Sequence, residues 1–386
     1  MKKRSLYLLV GLWLVVFPGR VLGQDAYYPG KGDGWLTKAP GELGVDAARL
    51  QAAVEFAQAN EYQGETDLRV AILEAFAREP FHEIVGPTKK RGGPTGVILK
   101  GGYIIAQWGD TKRVEMTFSV TKSYLSTVAG LAWDAGLIDS LEDKAEDYVQ
   151  DGTFEGSHNS GITWHHLLNQ SSDWSGRLFG MPDWADRPPQ EGGIDEWRSR
   201  ELREPGTHFE YNDVRVNVLA YSLLQVWRLP LPVVLREKVM DPIGASTTWR
   251  WHGYETSWVN VDGLKVQSVS GGGHSGGGVF INTRDHARFG LLFLRRGLWS
   301  GRQLISKEWV TKVRQPSEAH ESYGYMWWLN KGPRKMDGLS ENVYYAAGFG
   351  GNYVVIDEEH DLVVVVRWLD PPKLGELLRL IVVAAE

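Results

Sequence analysis

Apolar positions recur along the chain in two periods, and the switches between them outline the fold. Over residues 46–61 Leu50, Ala53, Val54, Phe56 and Ala57 keep helical spacing, with Asp46 placed to cap the first turn. From Thr95 the period becomes that of strands: residues 96–100 and 103–108 flank Gly101 and Gly102, a two-residue hairpin turn. Residues 116–133 predict one apolar helix, because Val120, Tyr124, Leu125, Val128, Leu131 and Ala132 recur on a buried face. A helical turn is expected over 162–168, opening into a loop at 169–176. A glycine-, proline- and charge-rich stretch at 177–207 is expected to wander over the surface. Helices follow over 214–226, 232–239 and 285–294. Strand periodicity returns at 352–357 and 362–368 around a turn at 358–361, and an amphipathic helix over 374–385 closes the chain.

Strands at both ends with helices between them predict an α+β fold. One central antiparallel sheet is built from the two termini, with flanking helices and an inserted, mostly helical lobe over about 135–280. Residues 24–94 read as an arm and a helix ahead of a main domain at 95–386.

The first residues add a compartment. Lys2, Lys3 and Arg4 precede an apolar run over 6–17, and small residues end near Gly23, the pattern of a secretory signal peptide over 1–23. Export to the periplasm or the medium is the expectation, with no stable membrane span after cleavage, because the apolar run is shorter than the ~20 residues that cross a bilayer. Without those 23 residues the chain carries 38 basic and 48 acidic side chains. An acidic surface whose longest basic run is Lys89–Lys90–Arg91 argues against nucleic acid as a partner. There is no cysteine, which removes disulfides, thiol nucleophiles and thiolate metal sites. An exported chain of this kind relies on its core, and 17 Trp, 15 Tyr and 12 Phe supply one.

Candidate chemistry sits at the mouth of the apolar helix. Ser119 and Lys122 form the only Ser-x-x-Lys spacing in the chain, and residues three apart share a helix face. A lysine turned into a core must pair its charge or give it up, and an uncharged amine beside a hydroxyl can activate it as a nucleophile. Free N–H groups at a helix start add positive potential where an oxyanion would develop. Tyr211 follows a Pro205–Gly206 turn just before a helix. It is a candidate acid or base, or else a core tyrosine.

Ser119-Val-Thr-Lys122, Tyr211-Asn-Asp213 and Gly348-Phe-Gly350, in that order, resemble the three signature elements of the serine β-lactamase and penicillin-binding-protein superfamily. The likeness is closer to its class C-type branch, with its esterases and 6-aminohexanoate-dimer hydrolases. It implies a β-lactamase/transpeptidase-like fold, Ser119 as the acyl-forming nucleophile, Lys122 as its base and Tyr211 as the proton relay. It also implies an oxyanion hole from the main-chain N–H groups of Ser119 and Phe349, with Gly348 and Gly350 letting substrate approach. Asp173 and Trp174 are then expected to face the cleft; His274, from its place among the glycines of 271–278, is expected either to pack closely against a neighbour such as the substrate or to sit on a flexible surface loop. Two departures stand out. Asp213 replaces the usual Asn or Ser, and is expected either at the site or as a cap on the following helix. Gly348 replaces the usual Lys or His, which counts against penicillins as natural substrates.

His158, His165 and His166 lack a carboxylate at ligand spacing, so no metal or other cofactor is expected. The sequence therefore reads as an exported serine hydrolase cleaving a small-molecule amide or ester through an acyl-enzyme. A catalytically silent binding protein on the same fold, or a penicillin-binding carboxypeptidase, are the alternatives.

Overall fold

The structure, a computed structural model, describes residues 26–386. The leader expected at 1–23 lies outside them. Helix α1 (Ala47–Ala59) begins where expected, with the Asp46 carboxylate accepting from the Ala48 and Arg49 amides. A helix not foreseen, α2 (Leu68–Ala75), follows a second aspartate cap at Asp67. Then come β1 (Thr95–Lys100), β2 (Tyr103–Trp108), the short β3 (Glu115–Met116) and α3 (Thr121–Asp134). Helix α4 (Asp213–Trp227) leads to β4 (Arg250–Val261), β5 (Leu264–Val269) and β6 (Gly278–Ile281). Helix α5 (Thr283–Leu294) precedes β7 (Trp328–Leu329), β8 (Tyr344–Gly348), β9 (Asn352–Asp357) and β10 (Leu362–Arg367), and α6 (Leu374–Ala385) ends the chain.

The central sheet has the order β7-β8-β9-β10-β1-β2, every neighbouring pair antiparallel, so the two chain ends meet at β10–β1. Register there runs from Thr95 opposite Arg367 to Lys100 opposite Leu362. The valine run of β10 explains why this strand does not alternate. Val363 and Val365 enter the core shared with α3 and α5, while Val364 and Val366 enter the one shared with α1 and α6. A strand buried on both faces needs apolar residues at every position. The α+β architecture and its terminus-built antiparallel sheet are thus as expected.

The inserted region holds more strand than expected. Strands β3, β6, β4 and β5 form a second, four-stranded sheet in that order. Residues 231–240 are helical as anticipated, α over Leu231–Leu235 and a wider π turn over Arg236–Met240. The 177–207 stretch contains a two-residue ladder and the short helix Ile194–Arg198. Among the described residues no single helix is long and apolar enough to cross a membrane.

The short helix Trp164–Leu168 carries a pH-sensitive cap. Thr163 Oγ1 accepts from the His166 amide at 3.3 Å, and His166 Nδ1 accepts from the Thr163 amide at 3.2 Å. Burial, then the neighbouring His165, pushes the His166 imidazole down to about 4. The unfolded chain takes up this proton near pH ~6.5, before the folded chain does. Stability is therefore present above pH ~6.5 and lost as pH falls towards 4. Urea midpoints at pH 7 and 4.5 should show a smaller drop for His166→Asn, which keeps an acceptor but cannot charge; an equal drop would exclude this origin.

Candidate active site

The segment ahead of α3 is held from three sides. Residues Phe118–Val120 form a 3-10 turn entered through Phe118 at φ +50°, a left-handed conformation uncommon for a bulky residue. Thr117 Oγ1 lies 2.8 Å from His286 Nε2, and the Tyr124 hydroxyl lies 2.9 Å from His286 Nδ1. Burial, with the Arg367 charge nearby, holds this imidazole well below its usual range, in its neutral form. The guanidinium of Arg367 donates to the carbonyls of Met116 and Ile281 at 2.7 and 2.6 Å, tying both sheets to the turn. Ser119 is thereby fixed at the helix mouth, half-buried, at the junction of the two sheets.

Lys122, in the first turn of α3, is 1 % exposed. Its Nζ lies 2.9 Å from Ser119 Oγ, 2.7 Å from Asp213 Oδ1 and 4.6 Å from the Tyr211 ring centroid. The first two elements recognised in the sequence thus converge on this amine, although it is ion-paired rather than isolated. Tyr211 stacks on Trp328 at 5.7 Å and stands edge-on to Tyr323 at 6.2 Å. The idea that Asp213 caps α4 is corrected: Asn212 is the cap, accepting from the Arg215 amide, which frees Asp213 to turn inward.

Behind Asp213 lies a network that no sequence pattern announced. Its Oδ2 meets Arg187 Nη1 at 2.7 Å, and the same nitrogen meets Asp186 Oδ1 at 2.6 Å. Arg187 Nη2 donates to His274 Nδ1 at 3.0 Å, and His274 Nε2 donates to Glu79 Oε2 at 2.6 Å. Burial acts to raise the Asp213 carboxyl, but Lys122 and then Arg187 beside it hold it well below the usual carboxylate range. Glu79, Asp186 and His274 bring metal-ligating atoms within 4.8 Å of one another. Those atoms already serve Arg187, the Asp213 amide and each other, so the cluster is satisfied by protein donors. A cleft of about 880 Å³ opens beside Arg187, lined also by Trp184, Trp197 and Glu210.

Glycines make room for this arrangement. A Cβ on Gly272 would sit 1.6 Å from Asp213 Oδ1 and 2.3 Å from Lys122 Nζ. One on Gly348 would sit 2.3 Å from the Thr117 carbonyl oxygen, so the end of β8 lies against the Ser119 turn with no space for Lys or His. Gly350 adopts φ +74°, and Asn352 Nδ2 donates to the Phe349 carbonyl at 2.7 Å, shaping the tight turn between β8 and β9. The Phe349 ring packs 5.1 Å from that of Phe118.

Asp173 and Trp174 do not face the cleft. Asp173 is 4 % exposed and paired with Arg200 and Arg215, while Trp174 is buried with its Nε1 donating to the Thr153 carbonyl at 2.8 Å. They fasten the loop before α4 and leave the cleft to others. His274 is near the site, but it contacts Arg187 and Glu79, and its ring lies tilted against that of Phe76 with centroids 3.8 Å apart. Arg187, Asp186 and Glu79 are the additions from the structure.

The Beta-lactamase family model matches residues 90–379, and the chain belongs to that family. It is a hydrolase of the serine β-lactamase fold. The chain is similar to the 6-aminohexanoate-dimer hydrolase of Paenarthrobacter ureafaciens, 24 % identical over 314 residues that cover 71 % of this chain and 72 % of that one. A shorter match, 27 % identical over 97 residues, joins 22 % of the chain to 29 % of an uncharacterized protein of Alkalihalophilus pseudofirmus. Among solved structures, a family VIII carboxylesterase superposes with TM-score 0.58 and 15 % identity, covering 88 % of this chain and 99 % of that one.

Proposed function

We propose that the protein hydrolyses small-molecule amides or esters through an acyl-enzyme on Ser119. The observation that carries this reading is the 2.9 Å contact between Ser119 Oγ and the buried Lys122 Nζ at the mouth of α3. In the proposed cycle Ser119 Oγ attacks the substrate carbonyl while its proton passes to Lys122. The N–H groups of Ser119 and Phe349 receive the oxyanion, and Tyr211 passes a proton to the departing amine or alcohol. The water oxygen then adds to the acyl carbonyl, its proton passing through the same groups to Ser119 Oγ as the Oγ–acyl bond breaks and the acid leaves. The proposal also takes the opening residues as an export signal and so puts this work outside the cytoplasm.

The substrate class follows from Gly348. In penicillin-recognising relatives a cation and a hydroxyl in this element help hold a substrate carboxylate; Gly348 and Phe349 offer neither, and a Cβ on Gly348 would already meet the Thr117 carbonyl oxygen at 2.3 Å. Simple esters and short amides fit this site better than β-lactams. The test is turnover of p-nitrophenyl esters, short linear amides and nitrocefin by the purified chain. Ester or amide cleavage with negligible nitrocefin cleavage is expected; nitrocefin as the best substrate would overturn the assignment. The Lys122–Asp213 ion pair favours, as a second reading, a binding protein that has kept the fold without turnover. Absence of hydrolysis across the whole panel would select it.

A further inference from the structure

We propose that Arg187 is a positioning residue for the Ser119–Lys122 pair, taking up the charge of Asp213 so that Lys122 is held in place without being fixed as an ammonium. The inference rests on the acyl-enzyme reading and adds to it a residue outside the three signature elements.

Asp213 is the origin of the problem. A carboxylate 2.7 Å from a buried amine orients it well, yet an uncompensated negative charge there favours the protonated form, which cannot accept the serine proton. The structure divides the carboxylate between two cations. Oδ1 faces Lys122 and Oδ2 faces Arg187 Nη1, each at 2.7 Å. Arg187 is also the group that connects Asp213 to the rest of the cluster. Its Nη1 meets Asp186, its Nη2 meets His274, and its main-chain N–H donates to Glu79 Oε1 at 3.1 Å. The residue takes φ +51°, a conformation that costs energy in a side-chain-bearing residue and persists where surrounding contacts impose it. Burial acts against the Arg187 charge, and Asp186 and Asp213 outweigh it, so the cation is permanent.

The groups facing Asp213 come from every surrounding segment. Lys122 comes from α3, Tyr211 from the residues before α4, Asp186 and Arg187 from the 183–187 loop, and His274 from the glycine-rich loop. Tyr254 of β4 and Tyr323 stand farther back, and Glu79 lies behind His274. His274 Nδ1 accepts from Arg187 while Nε2 donates to Glu79, which is the neutral imidazole. The set then holds three buried carboxylates, Glu79, Asp186 and Asp213, around the Lys122 amine and one permanent cation, the partly exposed Arg187 guanidinium. Without Arg187, three carboxylates would act on Lys122 alone. In the step affected, the Ser119 O–H bond breaks as the Oγ–carbonyl bond forms. The proton goes to Lys122 Nζ, which must be vacant to take it.

Opposite shifts from the two single variants, cancelling in the double, form the test. The readout is the basic-group limb of the kcat/KM pH profile for a p-nitrophenyl ester. Arg187→Met should move this limb to higher pH by about one to three units, with a ~10-fold or greater loss at pH 7 that recovers in alkali. Arg187→Lys should stay near the parent. Asp213→Asn, which keeps an acceptor for Lys122 but removes the carboxylate charge beside it and leaves Arg187 paired with Asp186 alone, should move the limb to lower pH. The double variant Arg187→Met/Asp213→Asn should return it towards the parent position. An unmoved limb in folded Arg187→Met, or a double variant no better than Arg187→Met, would overturn the proposal. Should Arg187→Met fail to fold, an unmoved or raised limb in Asp213→Asn would overturn it alone. Failure of the acyl-enzyme reading looks different: the parent protein itself would then show no ester turnover.

Discussion

Replacing Ser119 with alanine is expected to lower kcat for a p-nitrophenyl ester by about three orders of magnitude or more, with little change in melting temperature. The hydroxyl is half-buried at a turn whose shape is set by Thr117, His286 and Arg367, none of which touches Ser119 Oγ. Its loss should therefore remove the bond-forming atom and leave the turn in place. Lys122→Ala should cost a comparable factor, and the double variant little more than either alone, since the two side chains act as one unit. Lys122→Ala also leaves the Asp213 carboxylate without one of its partners. That variant should accordingly lose stability as well as rate, whereas Ser119→Ala should lose rate only. Additive losses in kcat would mean that the two groups act in separate steps.

A comparable effect is expected from a residue that contacts no substrate. Gly272→Ala would place a methyl 1.6 Å from Asp213 Oδ1 and 2.3 Å from Lys122 Nζ. Both groups are closely packed, so the amine and carboxylate must separate or the 271–278 loop must retreat. Displacements near 1 Å in a catalytic pair cost on the order of 10²-fold in rate. The variant should hydrolyse esters at least that much more slowly while remaining folded. Gly161→Ala, where a new Cβ meets nothing within 4 Å, is the control and should leave the rate unchanged. Parent-like activity in Gly272→Ala would show that the Lys122–Asp213 contact does not matter to turnover.

Features encoded over short stretches were readable from the chain. The Gly101–Gly102 turn, with φ of +62° and +88°, is the hairpin its two glycines announce. Asp46 caps α1, and Ser119, in the 3-10 turn, meets Lys122, in the first turn of α3, because the turn runs directly into the helix and residues three apart stay on one face. Two equally local signals are masked by their surroundings. Asp262–Gly263, both at positive φ, joins β4 to β5, and an Asp-Gly pair is a strong hairpin signal. Its flanks mix Trp, His, Glu and Lys on half-exposed faces, which hid the strand period. Asp67 before Leu68, Ala71 and Ile72 is the other, a capped helix of eight residues.

What could not be read is the set of charges behind Lys122. Glu79, Asp186, Arg187 and His274 come from three separate segments, each among prolines, glycines and other charges that look like surface. Only the fold brings them together, and no spacing rule reports a contact across 195 residues such as His274 with Glu79. The same limit explains Asp173 and Trp174. A loop aspartate and tryptophan before a candidate helix look exposed until Arg200 and Arg215, 27 and 42 positions later, are seen to close over them. Asp213 was ambiguous for a related reason, since two adjacent residues, Asn212 and Asp213, can each cap α4. The choice of Asn212 is made by the Asp213 amide, which donates to Asp186 and directs the neighbouring carboxylate towards Lys122.

The central claim is that Ser119 is an activated nucleophile, and fluorophosphonate labelling followed by peptide mass mapping tests it most directly. One stoichiometric adduct on the peptide containing Ser119 is expected, absent from Ser119→Ala and much slower to form in Lys122→Ala. A protein that hydrolyses esters yet carries its adduct on another residue, or none, would contradict the account.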